Sequence, residues 1–306
     1  MHDLIIVGAS AAGCSASVYA ARAKMHFLLV AKDVGGEVAS SGEIENWPGV
    51  NHTTGVELAE QFSKQLTHNH VEPEVSVEIQ KIEKTGDTFV LTGLKDGSDP
   101  VQYEARTVLF ATGVHPRHLN VPGEDTFYLK GVSYCTTCDG PLFKQKVVTT
   151  IGGGNSANES GIMMSGIASK VYVLTKNSDM QGEKTLIENL KSKSNVTIIP
   201  GATTTEIVGS THVTGVKYTD ASGTEQLLPT DGVFIHIGLI PNSSAVKDLV
   251  ALDALGNVVI DAVGASSVPG LYAAGDVTNH PYKQIAIAAG QGVSGVLAIQ
   301  SYLNSH

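Results

Sequence analysis

Two glycine-rich turns, each set between an apolar strand and a helix of small residues, restrict this chain to a narrow set of folds. The first, Gly8-Ala9-Ser10-Ala11-Ala12-Gly13, follows directly on the run Leu4-Ile5-Ile6-Val7. The second, Gly152-Gly153-Gly154-Asn155-Ser156-Ala157, follows Val147 to Ile151. A short continuous apolar run marks a strand buried on both faces, and therefore a parallel sheet covered on both sides. Phe27 to Val30 and Lys170 to Leu174 supply the partner strands, so each turn is the first corner of a β-α-β unit. Glycine in such a corner lets the backbone approach a pyrophosphate lying at the helix N-terminus. One turn alone also fits a nucleotide-free α/β corner. Two in the same context imply two dinucleotides, held by Gly8, Ser10, Ala11 and Gly13 at one turn and by Gly152, Gly154, Asn155, Ser156 and Ala157 at the other. The usual middle glycine of the first turn is Ser10, whose hydroxyl is expected to face a phosphate oxygen.

Between the turns lies Ser133-Tyr134-Cys135-Thr136-Thr137-Cys138-Asp139-Gly140, with two of the three cysteines. This spacing suits a redox disulfide or half a zinc site. A four-cysteine zinc site is arithmetically excluded, and no His pair at finger spacing follows. If the pair opens a helix, the helix N-terminus favours the first thiolate. Asp139 is then placed to hold or deliver the proton that thiol chemistry needs. Cys14, by contrast, sits at the start of a buried helix and reads as a small core residue.

Net charge is −10, which disfavours nucleic acid and anionic membrane surfaces as partners. Three cysteines do not make a secreted framework, and Met1-His2-Asp3 leads straight into a strand, so a cytoplasmic setting is expected. The apolar stretch Ile285 to Ile299 is interrupted by Gly290, Gln291, Gly292, Ser294 and Gly295, and reads as a packed helix with no membrane span. Gly35-Gly36-Glu37 and the loop Glu43 to Gly49, with Asn46 and Trp47, are punctuated like ligand-contacting loops, Glu43 and Glu45 forming a solvated edge. Ala111-Thr112-Gly113 closes a strand and brings a hydroxyl to the carboxyl edge of a sheet, where α/β proteins bind ligands. Gly275-Asp276 ends another apolar strand; Asp276 reads either as the N-cap of the closing helix or as an acceptor for a ribityl hydroxyl. His236 reads as a core histidine, and His115 and His118 as solvated linker residues.

The pieces GASAAG, ENWPG, ATG, CTTCDG, GGGNSA and GLYAAGDV resemble the low-molecular-weight thioredoxin reductases, with similarity from about Leu4 to Tyr302. YCTTCDGPLFK, IGLIPN and PYKQIAIA look closer to the flavoprotein component of alkyl hydroperoxide reductase, which carries an additional thioredoxin-like region that is not expected here. The resemblance implies an α/β protein of two Rossmann-like, three-layer dinucleotide-binding domains, one inserted in the other. The FAD domain would span 1–114 and 241–306, and the NAD(P)-binding-like domain 115–240. It implies that Gly275, Asp276, Lys283, Gln284 and Ile285 approach the flavin, that Cys138 faces the flavin and Cys135 the partner, and that Asp139 is the acid/base. It also implies a homodimer, a domain rotation between half-reactions, and a thioredoxin-like or glutaredoxin-like protein disulfide as acceptor. Members using NADPH carry arginines after the second fingerprint's partner strand, where this chain has Thr175-Lys176-Asn177-Ser178-Asp179-Met180-Gln181. NADPH is therefore disfavoured and NADH expected. The other readings are a ferredoxin or deazaflavin donor, a flavin-dependent dithiol oxidase, and a non-enzymatic scaffold that binds flavin or metal.

Overall fold

The computed structural model describes residues 1–305; the last residue of the expected C-terminal segment, His306, lies outside the described residues. The chain divides into two compact units, one made of Met1–His115 with the segment starting at Ile240, the other of Pro116–Leu239.

The first unit begins with β1 (His2–Ala9), α1 (Ala11–Arg22) and β2 (Phe27–Val34), then a short hairpin of β3 (Glu43–Ile44) and β4 (Thr53–Thr54). Next comes α2 (Gly55–His68), fixed at its start by a capping box in which Thr54 and Glu57 satisfy each other's backbone N–H groups. Strands β5 (Val77–Thr85), β6 (Thr88–Lys95) and β7 (Asp99–Phe110) follow as an antiparallel meander. Sequence patterning found only the last residues of β7. Its first half, Asp99 to Glu104, alternates exposed and half-buried positions and lacks the apolar run that marks a fully covered strand. That first half pairs with β6, while the second half lies parallel between β1 and the late strand β18 (Leu271–Ala273).

The second unit starts from the crossing strand β8 (Val114–Pro116). It contains β9 (Val132–Ser133), α3 (Thr136–Asp139), β10 (Val147–Ile151), α4 (Asn155–Ser165), β11 (Lys170–Thr175), α5 (Lys184–Lys191) and β12 (Val196–Pro200). A meander of β13 (Thr203–Gly209), β14 (Val213–Thr219) and β15 (Glu225–Pro229) precedes β16 (Gly232–Ile235). Five strands form a parallel sheet in the order β12-β11-β10-β16-β9. The return crossing β17 (Leu239–Pro241) pairs with β8, and α6 (Ile285–Ser305) closes the chain.

Both units repeat one plan. Alternate residues of the central strands enter opposite cores: Leu4 and Ile6 pack toward α1, α2 and α6, whereas Ile5 and Val7 pack with Phe89, Leu91 and Val246. In the second unit Val148 and Phe234 face the side of α4 and α5, and Ile151, Val233 and Ile235 face the meander. Each such side chain fully buried contributes about 1.5–3 kcal/mol, so a one-residue slip of β1 would exchange two complete cores. The sheets are thus covered by helices on one face and by β-structure on the other, the α/β class that the motifs imply. α6 is long and apolar enough to cross a membrane by length and composition. It lies on α1 through Gly292, where a Cβ would collide with the Ala12 carbonyl.

Candidate functional site

At the first turn Gly8 has φ +107°, and a Cβ there would overlap the Ala111 carbonyl. Only glycine allows the turn to lie this tightly on the end of β7. Gly13 in turn packs on the Gly8 carbonyl, and the N-terminus of the twelve-residue α1 is left uncapped by any side chain. Ser10 donates its hydroxyl to the Gly35 carbonyl at 2.5 Å, on the loop after β2. That bond fastens Gly35 to the turn, and the backbone N–H groups at the start of α1 are available to an anion. Thr112 is also tied to a neighbouring segment. Its hydroxyl donates to the Asn242 carbonyl at 2.8 Å, while Asn242 returns a bond to the Thr112 carbonyl and another to Gly113.

Gly36 is held by Asp33, and Glu37 follows in the same 3-10 turn, Gly36–Val38. Asn46 and Gln284, 238 residues apart, meet at 3.4 Å. Gly275 gives its N–H to Gln291. Asp276 lies in the turn Gly275–Val277 and α6 begins only at Ile285, so the N-cap alternative is excluded. The Asp276 carboxyl is pushed above its ordinary value by burial, against the opposing pull of Lys283 and His280. Lys283 is itself lowered by burial and donates to the Thr278 carbonyl at 2.6 Å. No side chain or backbone N–H among the described residues hydrogen-bonds the Asp276 carboxylate. A desolvated acceptor with unspent capacity is what a ribityl hydroxyl requires, and with the Gly8 cradle it meets the needs of a flavin dinucleotide.

At the second turn Gly152 has φ +149°, and a Cβ would meet the His236 carbonyl. Gly154 and Ser156 open α4, and Gly154 has open space where a Cβ would be. Ala157 is fully buried behind the turn. Asn155 accepts from the Glu183 N–H at 2.8 Å, so its amide ties down the loop after β11. The residues fit a pyrophosphate at the α4 N-terminus. In that loop Lys176 is exposed, Asp179 is engaged by Lys191 at 3.0 and 3.1 Å, and Thr175 is buried. Nothing there offers the guanidinium fork that a 2′-phosphate prefers.

Cys135 and Cys138 form a disulfide. Cys135 is the N-cap of α3, and the Cys138 N–H donates to Cys135 Sγ at 3.2 Å. The helix has only four residues, so this single N–H, and not a macrodipole, favours a thiolate at Cys135. Buried Ser133 sets the other side: its hydroxyl accepts from the Cys135 N–H at 3.0 Å and donates to Asp139 Oδ2 at 2.5 Å. Asp139 is thereby fixed beside the pair.

Next to it, Glu124 is 2% exposed and accepts from the N–H groups of Leu119 and Asn120 and from the Tyr134 hydroxyl. Burial, then this bond to Glu124, raises the Tyr134 phenol above its ordinary range. His118 lies 2.9 Å from that phenol and His115 lies 2.8 Å from Asn242, so neither is merely a solvated linker residue. Glu124 and Ser133 escaped sequence reading because an acidic loop residue and a strand serine carry no periodic signal. Cys14 is buried, its thiol pushed up to about 12 by desolvation, and it takes no part.

The family model for pyridine nucleotide-disulphide oxidoreductases matches residues 2–292. The F subunit of alkyl hydroperoxide reductase from Staphylococcus aureus (strain MSSA476) is 41% identical over 303 residues, which are 99% of this chain and 59% of that protein. The chain thus spans somewhat more than half the length of the curated relatives it matches. Thioredoxin reductase from Streptococcus pyogenes MGAS5005 superposes with a TM-score of 0.91 at 34% identity, covering 100% of this chain and 99% of that one. Thioredoxin reductase from T. acidophilum is 42% identical, with a TM-score of 0.66 and coverage of 99% and 98%. With a closed Cys-x-x-Cys pair, a cradle suited to FAD and a family match over nearly the whole sequence, the chain belongs to the pyridine nucleotide-disulphide oxidoreductase family.

Proposed function

We propose that this protein passes electrons through FAD and the Cys135–Cys138 disulfide to the disulfide of a thioredoxin-like or glutaredoxin-like protein, in the cytoplasm and as a homodimer, with NADH as reductant. The observation that carries the reading is the disulfide itself, closed across one helical turn and flanked by a carboxylate that Ser133 holds in place. The discontinuous unit would hold FAD through Gly8, Ser10 and Gly13, the Gly35 to Glu37 turn, Asn46, Gly113, Asp276, Lys283 and Gln284. The inserted unit would hold the nicotinamide nucleotide at Gly152 to Ala157.

Bound FAD supplies the two-electron step between a hydride donor and sulfur. The chain's own groups do the rest. Reduction breaks the Cys135–Cys138 bond with two electrons and two protons, one taken by the Cys138 thiol and one by the Asp139 carboxylate, leaving a thiolate at Cys135 that the Cys138 N–H stabilises. That thiolate attacks the partner's disulfide, giving a mixed disulfide and a departing partner thiolate, which takes its proton from Asp139. Cys138 then attacks Cys135 Sγ, releasing the second partner thiol and closing the original bond.

The loop after β11, with Asp179 tied to Lys191 and no arginine, favours a second reading of the input alone: the same relay fed by ferredoxin or a deazaflavin. An anaerobic titration of the FAD-loaded protein with NADH, NADPH, reduced ferredoxin and reduced deazaflavin separates them. Bleaching by NADH supports the proposal. Bleaching by reduced ferredoxin or reduced deazaflavin alone replaces its first step. Rapid oxygen consumption with a small dithiol and no nicotinamide would point instead to a dithiol oxidase.

A further inference from the structure

Between the two cysteines stands Thr136, which is buried, and its hydroxyl has two partners on different elements. Ser160 of α4 lies 2.7 Å away and His236 Nε2 lies 2.6 Å away. Ser160 in turn meets Thr150 of β10 at 3.1 Å. The backbone N–H of His236 is fixed on the Ile151 carbonyl, and its own carbonyl packs against Gly152. One hydroxyl of the redox helix is therefore gripped by the helix that opens at the second glycine turn and by the residue that packs behind that turn.

Ion pairing does not explain the arrangement. Burial holds the His236 imidazolium down to about 4, so the ring is neutral at neutral pH. A neutral Nε2 either accepts from Thr136, with Ser160 donating to Thr136, or donates to it, with the chain of hydroxyls running the other way. Either polarity completes the chain, and neither needs a charge.

We propose that Thr136 and His236 are positioning residues for the disulfide. By anchoring the first turn of α3, they keep the Cys138 N–H on Cys135 Sγ and so stabilise the thiolate formed when the bond opens. A disulfide whose reduced form is stabilised has a higher reduction potential. Loss of the anchor frees the turn, weakens that hydrogen bond and makes the pair harder to reduce. The inference rests on the pair being redox-active, as proposed above.

The test equilibrates full-length, FAD-loaded protein with dithiothreitol redox buffers and counts Cys135 and Cys138 thiols by alkylation and mass. Thr136→Val and His236→Ala are each expected to lower the equilibrium constant for reduction roughly tenfold, about 30 mV more negative for a two-electron couple. Thr136→Ser, which keeps the hydroxyl, is expected to stay within about twofold of the parent. Flavin content and thermal unfolding identify folded variants, and Ser160→Ala, acting on the same hydroxyl, replaces any that fails to fold. Folded Thr136→Val or His236→Ala with an unmoved constant would overturn this inference and leave the relay standing. A Thr136→Ser shift as large as that of Thr136→Val would also overturn it, by assigning the effect to packing. A parent whose disulfide no dithiothreitol buffer reduces would overturn both.

Discussion

Asp276→Asn should move stability and cofactor binding in opposite directions. The substitution keeps the shape of a side chain whose carboxylate has no hydrogen-bond donor among the described residues and whose ionisation burial disfavours. Because its folded value is raised above the unfolded one, the native state binds more protons than the unfolded state between the two. The apoprotein therefore loses stability as pH rises from the ordinary Asp value of 3.8 through the folded value. Asn removes that loss, so apo Asp276→Asn should be the more stable protein at pH 7, and its stability should not fall across this window. For FAD the balance reverses. A charge-assisted bond to a ribityl hydroxyl, worth about 1.5–3 kcal/mol, becomes a neutral one worth about 0.5–1.5. The difference, about 1–2 kcal/mol, weakens FAD binding by roughly 5- to 30-fold. The assay is thermal unfolding of stripped protein at pH 4 to 8, paired with fluorescence titration of FAD. A less stable apoprotein at pH 7, or an unchanged FAD Kd, would refute the assignment of Asp276 as a desolvated acceptor.

Cys138→Ser should retain FAD but turn over no protein disulfide; retained turnover with a thioredoxin-like substrate contradicts the relay. Glu124→Gln replaces one of three accepting interactions by an amide NH₂ facing a backbone N–H, and should destabilise by about 2–3 kcal/mol in urea unfolding. The same variant removes a charge that raises the Tyr134 phenol, so that phenol should titrate at lower pH by ultraviolet absorbance. Cys14, buried and with its thiol at about 12, should resist alkylation in native protein at pH 8 after dithiothreitol treatment, while Cys135 and Cys138 are both modified.

The parts legible in the sequence were those written in local, periodic code. The two glycine turns, their flanking parallel strands and the Cys-x-x-Cys spacing each occupy a few consecutive residues, and strands buried on both faces announce themselves as apolar runs. Strand β15 was not legible: every residue of Glu225–Pro229 is exposed or half-buried, so its register comes from pairing with β14. Nor were the second partners of known site residues. The Ser10 hydroxyl could be placed near a phosphate by analogy with glycine, but its bond to Gly35 depends on where β2 delivers the chain. Thr136 and His236 are 100 residues apart, and a histidine in an apolar strand-like run reads as core until a hydroxyl is found at its Nε2. Such contacts are tertiary, and no window of sequence contains them.

The late strand β18 has a consequence for synthesis on the ribosome. It completes the first unit's sheet beside β7, and Asp276, Lys283 and Gln284 arrive just behind it, more than 150 residues after the first glycine turn. The inserted unit is contiguous in sequence and has all its strands beforehand. Folding in order of emergence would finish the redox-pair unit while the N-terminal half of the first unit still exposes the β7 edge that β18 will cover. If FAD is held as proposed, by the first glycine turn together with Asp276 and Gln284, it would act as the clasp of the last folding step.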